Sequence, residues 1–404
     1  MQKDSRTYKI IGREFVRIFE RKTLYLLMIL LPIVLFTLYG LIYENESVTE
    51  IPIAIVDQDN SQLSRTITQF VESSPSLRIE KYLNSVDEVE SAIKKGKIQG
   101  AFYIPRDLEK DVKHGKSSSV IIYKNTANLI IGNSILKDGT QIVRTVSGGV
   151  LLKKLMSDNM IKDQAMNIVN PIKIESMSLY NPNYSYLSYL IPGLIGFTIQ
   201  MLIMVASVLV ISSEFTHETF GELVELAEGK VSRIFFGKFI PHFIIHFATV
   251  LIITGVIFPL FNIRVYGSEL SIIALFTLFT MVSLLLGLMI SSLFHDQLFA
   301  TELALFFNTP AFIFSGFTFP LWGMPALHST YAQFIPFTHF LSAFLKIYQM
   351  DAPLSSAINE ISILCLFAAI STLILLAKLK IEVNKDGLVK KNLLSKNNLQ
   401  SKTR

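Results

Sequence analysis

The chain has 404 residues, of which 50% are hydrophobic and only 17% are charged, and its mean hydropathy is +0.45. This composition is too apolar for a soluble globular protein and excludes most soluble enzymes. The net charge of +5 comes without a clustered basic face on a polar domain, which excludes nucleic acid as a partner, and the single cysteine excludes an internal disulfide.

A basic amphipathic helix is predicted at the start of the chain, within residues 1–23. One stripe of this helix is apolar, and the opposite stripe is basic. The apolar stripe contains Tyr8, Ile11, Phe15 and Ile18, and the basic stripe contains Lys9, Arg13, Arg17 and Arg21. Such a helix is typical of the membrane interface, and a solvated leader helix is the alternative.

Six apolar runs are long enough to cross about 30 Å of hydrocarbon as helices. They are predicted at residues 24–42, 187–212, 239–261, 270–294, 298–319 and 358–377. The fold class is therefore predicted to be an α-helical polytopic membrane protein with six transmembrane helices. A polar insert, residues 43–186, separates the first helix from a five-helix block at residues 187–379. A basic tail, residues 380–404, follows, and its Lys-, Asn- and Ser-rich composition predicts disorder.

Basic residues predict the orientation of these helices. Eighteen Lys and Arg residues lie near the two chain ends and in the loop after the second apolar run, whereas two lie in the other short loops. Basic loops favour the cytoplasmic side, so both termini are predicted to be cytoplasmic and the insert to lie outside. The chain is thus predicted to be a multi-pass protein of the bacterial cytoplasmic (inner) membrane.

The insert is predicted to be an extracytoplasmic α/β domain. Short β-rich runs lie at residues 51–56, 78–82, 98–104 and 120–124, and helical runs lie at 61–72, 87–95, 105–113 and 129–168. Asp59 is the predicted N-cap of the first helix, Gly96 is predicted to end the second, and Pro105 to start the third. The strand–helix–strand order indicates one compact module.

Three motifs in the sequence resemble chemical sites. Asp57 and Asp59 follow a strand and could hold Mg²⁺ or act in phosphotransfer, but a polar turn with a helix cap is favoured. The sequence around Gly115 lacks the first glycine of a phosphate-binding loop, because that position is Lys110. His242 and His246 lie one helical turn apart without a third ligand, so polar contacts within a helix bundle are favoured over a metal site. No catalytic residue, metal or cofactor is predicted.

Energy for transport is predicted to come from another chain. The apolar runs contain few charges, among them Glu302, and lack the intramembrane carboxylates that usually bind a coupling ion. After the second run, Glu214, Glu218 and Glu222 recur every four residues along an amphipathic helix. Like charges at this spacing destabilise a helix, so a basic docking partner is predicted, and a solvated loop helix is the alternative.

Four stretches of this sequence resemble the ABC-2 type permeases, the membrane subunits of bacterial ABC exporters. They are Ile53-Ala54-Ile55-Val56-Asp57 with the polar turn after it, Leu179-Tyr180-Asn181-Pro182 with Ile191-Pro192-Gly193, Glu214 with Glu218-Thr219 and Val231-Ser232-Arg233, and Ser315-Gly316-Phe317 through Ile335-Pro336-Phe337-Thr338. The third stretch is similar to the family's cytoplasmic coupling segment, here residues 213–229, and the fourth to its final outer loop. Two departures occur: Glu218 replaces a usual glycine, and residues 227–230 replace a usual Thr-Pro.

The resemblance implies a permease subunit without its own ATPase activity. It implies two permease subunits, either two copies or this chain with a sister permease, and two ABC ATPase subunits that bind ATP and Mg²⁺. It also allows for a periplasmic adaptor protein at the outer domain. The residues expected to couple the chain to the ATPase are Glu214, Glu218, Thr219, Glu222 and Arg233.

The predicted function is ATP-driven export of an amphiphilic substrate, such as a drug or a lipid, outward across the inner membrane. The candidate path runs along the dimer interface past Gln200, Asn308, Phe312 and Phe317. The alternative is a membrane sensor or secretion-accessory protein whose outer domain binds a ligand or partner. A third hypothesis, a membrane enzyme that uses Asp57 and Asp59, needs partners that the sequence does not place.

Overall fold

The computed structural model describes residues 5–43, 48–171, 177, 179–181, 186–263 and 265–402. The chain divides into two compact units. One unit comprises Asn45–Tyr186, and the other comprises Met1–Glu44 together with Leu187–Arg404. The polar insert is therefore a folded module of its own, and the helices on its two sides pack with each other.

The insert contains a four-stranded sheet with strand order β2-β1-β3-β4. The strands are β1 Ile51–Asp57, β2 Leu77–Tyr82, β3 Gly100–Ile104 and β4 Ile121–Lys124. The first three strands are parallel, and β4 runs antiparallel to β3. Both faces of β1 are buried, because Ile53 packs with Phe102 and Ile135 on one face and Val56 packs with Val89 on the other.

Helices cover both faces of this sheet. Helices are numbered along the whole chain, so α1 is the amphipathic helix near its start, Ser5–Glu20, which is not part of the insert. The helices of the insert are α2 Gln62–Glu72, α3 Val86–Lys94, α4 Leu108–Lys113, α5 Leu129–Ser157 and α6 Lys162–Val169. The predicted strands and helices are confirmed as elements. The parallel order of β1, β2 and β3 requires crossover connections, and α2 and α3 form these crossovers.

Local predictions in the insert need correction at three helix ends. The N-cap of α2 is Ser61 and not Asp59, because the Ser61 hydroxyl accepts a hydrogen bond from the Ser64 N–H at 3.1 Å. The helix α4 starts at Leu108, since Asp107 has a left-handed backbone. The long predicted helix stops at Ser157 and restarts at Lys162. Gly96, with φ of +67°, ends α3 as predicted.

Within the described residues of the other unit, six helices are long and apolar enough to cross a membrane, as predicted. They are span 1 Lys22–Ile42, span 2 Tyr189–Thr216, span 3 Val231–Leu260, span 4 Glu269–Leu293, span 5 Gln297–Phe314 and span 6 Leu354–Gly387. Spans 2 and 4 are the most buried of the six. A single apolar cluster joins them to the other spans and forms the core of this unit.

Two predicted bounds of the spans were wrong for identifiable reasons. Span 3 starts eight residues before the prediction, because Arg233 and Lys238 are buried and paired inside it, which hydropathy does not detect. The helix of span 6 begins at Ile358 and continues past Gly387 to Lys402, so the prediction of a disordered tail is wrong as far as Lys402. Leu and Lys, which are frequent in this tail, are good helix formers.

The predicted outer loop after span 5 contains a buried half-length helix. We label three further helices in chain order: α7 is Phe220–Leu226, α8 is Ala326–Ala332, and α9 is Pro336–Phe344. The helix α9 continues as a π-helix to Gln349. Phe340 on α9 stacks 3.9 Å from Phe279 of span 4. Fourteen helical residues extend about 21 Å, which is too short to cross a bilayer. This segment is therefore packed into the helix block from one side, contrary to the loop expected from the resemblance.

Candidate functional site

The segment between spans 2 and 3 forms the short helix α7. Its apolar residues Phe220, Leu223 and Val224 are buried against the helix block. Glu218, Glu222 and Glu225 lie on the exposed side. This segment therefore presents an acidic surface, which we call the acidic face and define by these three glutamates.

The acidic face begins at a residue with unfavourable backbone geometry. Glu218 has φ of +57°, in the left-handed region that glycine adopts most readily. This is the position at which the resembled family usually has glycine. The far end of the segment reverses through Glu228 and Gly229, which also have positive φ values. Both ends of the segment are thus tight reversals, and only the second contains a glycine.

Glu214, the first member of the predicted acidic stripe, is completely buried and has partners within the chain. Its carboxylate accepts two hydrogen bonds from Arg13 of α1, at 3.1 and 3.2 Å. It also pairs with Lys238 of span 3 at 2.6 Å and contacts Arg17 and the Thr219 hydroxyl. The basic partner predicted for the stripe is, for Glu214, supplied by α1 and span 3.

A second buried carboxylate, Glu14 of α1, completes the cluster. Its two oxygens contact Lys238 at 2.6 Å and His242 Nε2 at 3.0 Å. Burial alone would raise the pKa of Glu14, but Lys238 and the His242 hydrogen bond lower it to about 2. We call this group the buried charge cluster; its members are Arg13, Glu14, Arg17, Glu214, Lys238 and His242. The cluster joins α1, span 2 and span 3.

Arg233 lies at the other end of the coupling segment. Its guanidinium is buried, contacts Glu228 and reaches the Ala227 carbonyl at 3.4 Å. Arg6 of α1 pairs with Glu228 at 2.8 Å. The hydrogen bond from Arg233 lowers the pKa of the Glu228 carboxyl below its usual range, and Arg6 adds to this effect. Arg233 therefore holds the end of the segment, and Arg6 ties it to α1.

The basic stripe predicted for α1 is not the fully exposed side of the helix, because α1 packs against the helix block. Ile10, Glu14 and Ile18 face the helix block and are nearly inaccessible. Part of the predicted apolar stripe points outward, where Tyr8 is 69% exposed. Sequence reasoning missed the buried charge cluster. A signal in the sequence was Glu14, an acidic residue within a mainly basic helix that also ends in Glu20, but the partners of Glu14 are more than 200 residues away.

The four predicted path residues lie on spans 2 and 5 and just after span 5. Gln200 Nε2 donates a hydrogen bond to Asn308 Oδ1 at 2.9 Å, and both side chains are completely buried. Asn308 also donates to the Ala304 carbonyl at 2.8 Å. Among the residues that the structure describes, Gln200 Oε1 has no hydrogen-bond partner. A buried acceptor without a partner is costly in free energy. Gln200 Oε1 could therefore accept a hydrogen bond from a donor group of a bound molecule.

Aromatic rings line the same side of spans 2 and 5. The centroids of the Phe312 and Phe317 rings lie 5.3 Å apart. Phe312 also contacts Phe197 of span 2 at 5.1 Å, and Phe317 stacks on Tyr189 at 6.0 Å. Gly193 permits this approach, because a Cβ atom there would overlap the Phe317 ring. In this row the structure joins Gln200 to Asn308 and Phe312 to Phe317, and Phe312 follows Asn308 by one helical turn on span 5.

The two aspartates at the end of β1 have structural partners. Asp57 accepts hydrogen bonds from the backbone N–H groups of Asp59 and Asn60, at 2.9 and 3.0 Å. Asp59 accepts one from the Glu109 N–H at the start of α4. These carboxylates stabilise a turn and a helix end, which favours the structural interpretation of both. In the described ranges, no group of three or more His, Cys, Asp or Glu side chains could hold a metal.

The chain is similar to known transporter proteins. A family profile described as "ABC-2 family transporter protein" matches residues 22–377. The chain is similar to the probable multidrug ABC transporter permease YbhR of Escherichia coli K12, with 25% identity over 85% of this chain and 88% of that protein. It is also similar to the probable multidrug ABC transporter permease YbhS of the same strain, with 22% identity over 80% of this chain and 83% of that protein. ABC transporter G family member 20 of Dictyostelium discoideum is 29% identical over 46% of this chain and 25% of its own length. Together with the six apolar helices, the match over most of the chain shows that this multi-pass membrane protein belongs to the ABC-2 family of transporter permeases.

Proposed function

We propose that this chain is the permease subunit of an ATP-driven exporter that moves an amphiphilic substrate outward across the bacterial inner membrane. A separate ABC ATPase binds and hydrolyses ATP with Mg²⁺. The single observation that carries the proposal is the division of the coupling segment. Its acidic face is exposed, whereas Glu214 at its start is buried with Arg13, Arg17 and Lys238.

The acidic face is the proposed docking surface for the ATPase. Glu218 and Glu222 are exposed and lie four residues apart, and Glu222 also lies 3.9 Å from Arg13 of α1, so a basic partner surface would lower the repulsion that remains between them. Thr219 and Arg233 hold the segment in place without reaching a partner themselves, because they contact Glu214 and Glu228. The ATPase surface that binds here is therefore expected to be basic.

The buried charge cluster is the proposed route from the ATPase to the spans. A displacement of the coupling segment must move Glu214 or break its contacts with α1 and span 3, since close-packed interiors deform little. Breaking a buried ion pair leaves uncompensated charge and is expensive. The favoured response is therefore a joint movement of α1, span 2 and span 3.

The row from Gln200 to Phe317 is the proposed substrate path. Spans 2 and 4 are largely buried within this chain, whereas much of span 5 is exposed and available to a second permease subunit. A second copy or a sister permease would close the path against that face. Aromatic rings and one amide pair suit an amphiphile with an aromatic or aliphatic body and a small polar group.

The proposed topology places both termini and the coupling segment in the cytoplasm. The insert, Asn45–Tyr186, then lies outside as the extracytoplasmic α/β domain, where a periplasmic adaptor protein could bind it. This orientation follows from the excess of basic residues beside the proposed inner ends of the helices.

Charge reversal of the acidic face tests the docking proposal. We expect the Glu218→Lys, Glu222→Lys double variant to lose co-purification with the ATPase and to lose permease-dependent ATP hydrolysis. The matched control is Glu269→Lys, since Glu269 is also an exposed glutamate but lies at the opposite end of a span. Normal ATPase binding by the double variant would contradict the assignment of this surface.

A further inference from the structure

The outward face of α1 is apolar although the helix is not a membrane span. Val16 is 54% exposed and Phe19 is 58% exposed, on the side of the helix that carries Tyr8. The helix ends at Glu20, and span 1 begins at Lys22. Because only Arg21 separates them, α1 lies beside the point at which the chain enters the bilayer. Its exposed apolar side chains are therefore placed to contact lipid.

Two lysines flank this apolar face. Lys9 and Lys22 are exposed, and in the described part of the chain neither forms a salt bridge. This differs from Arg13 and Arg17 on the other side of the helix, which are paired with Glu214. Basic side chains at a membrane surface bind anionic headgroups, and each contributes about fivefold to the binding constant. The charge and the apolar area together favour an anionic lipid surface as the occupant of this face.

We propose that the outward face of α1 binds anionic lipids of the inner leaflet and that this contact regulates coupling to the ATPase. The inference rests on the proposed function and on its cytoplasmic placement of α1. The opposite face of the same helix holds the coupling segment through Glu214 and span 3 through Lys238. Lipids that bind α1 in this position therefore favour the arrangement in which the buried charge cluster is intact.

A tryptophan quenching experiment tests the membrane contact without the ATPase. The chain has one tryptophan, Trp322, so Phe19→Trp in a Trp322→Phe background gives a single reporter on α1. Lipids brominated near the headgroup should quench this reporter strongly. The matched control is Tyr82→Trp in the same background, since Tyr82 is 63% exposed on the insert. Equally weak quenching at both positions would overturn the lipid contact.

An activity titration tests the regulation. We expect ATP hydrolysis by the permease–ATPase complex in nanodiscs to rise severalfold as anionic lipid increases from none to about a third of the total. The Lys9→Gln, Lys22→Gln variant should lose most of this rise, and the control Lys94→Gln, Lys95→Gln, on the insert, should retain it. An unchanged rise in the α1 variant would overturn the regulatory claim. A complex that fails to form in any lipid would instead overturn the proposed function, and the quenching result would still decide the lipid contact.

Discussion

The ammonium group of Lys238 in span 3 lies 2.6 Å from the carboxylate of Glu14 on α1, and both side chains are almost completely buried. The same ammonium lies 2.6 Å from the Glu214 carboxylate at the end of span 2. One lysine therefore joins three helices through two carboxylates. This arrangement links the start of the chain to both sides of the coupling segment.

Lys238→Met should destabilise the protein strongly. The substitution keeps the volume of the side chain but leaves two buried carboxylates without this cation, and breaking a buried ion pair costs about 3–5 kcal/mol. The measurement is the free energy of unfolding in detergent. Lys230→Met is the control, because Lys230 is exposed just before the same span and should change stability by at most about 0.5 kcal/mol. Similarly small changes in unfolding free energy for both substitutions would contradict the ion pairs that Lys238 forms in the buried charge cluster.

The contribution of Glu14 should depend on pH in acid. Its pKa of about 2 in the folded protein lies below the ordinary 4.5, so the ionised carboxylate stabilises the fold above pH 4.5. That stabilisation is lost as the pH falls towards 2. The difference in unfolding free energy between wild type and Glu14→Gln should be constant from pH 8 to about 5 and then shrink. A difference that changes mainly between pH 7 and 5.5 would point to titration of another group.

Glu218→Gly should stabilise the coupling segment. A left-handed backbone costs a residue other than glycine about 1–2 kcal/mol, and glycine removes most of this cost. The opposite sign is expected for Glu222→Gly, since Glu222 lies inside α7, where glycine costs about 1 kcal/mol. The measurement is the thermal unfolding temperature of each variant compared with that of the wild type. Destabilisation by both would contradict the described geometry at Glu218.

Asn308→Leu should leave the Gln200 amide buried without its acceptor. Such an unpaired group costs about 1–3 kcal/mol, whereas the double variant with Gln200→Leu should be less destabilised than the two single effects predict together. A double-mutant cycle on unfolding free energy measures this coupling. Transport assays on the same double variant then test the proposed substrate path. The double variant should fold, but the set of molecules that it exports should differ from that of the wild type. Additive effects on stability would contradict the amide pair.

Much of the architecture followed from periodicity and hydropathy. The six spans and the strand–helix order of the insert depend on local patterns of apolar residues, which the sequence displays directly. The half-length helix α9 was missed because its uncharged sequence after Pro336 looks like the end of a loop. Its helical state depends on aromatic packing against spans 2 and 4, which single-chain patterns do not reveal.

The candidate site was predicted in part. The acidic stripe, Gln200 and Asn308 were selected from the sequence, and the structure places the last two in direct contact. The burial and pairing of Glu214 could not be predicted, because its partners Arg13 and Arg17 are about 200 residues away. In the sequence these arginines looked like part of an exposed basic face. Periodicity identifies the two faces of a helix, but the residues that pack against it decide which face is buried.

Comparison of two variants in one reconstituted transport assay separates docking of the ATPase from transmission through the buried charge cluster. Arg17→Met removes a cation from the buried charge cluster and leaves the acidic face intact. We expect this variant to bind the ATPase but to export cargo at a small fraction of the wild-type rate, whereas the Glu218→Lys, Glu222→Lys variant should fail to bind the ATPase. Wild-type export by Arg17→Met with the ATPase bound would contradict transmission through the cluster.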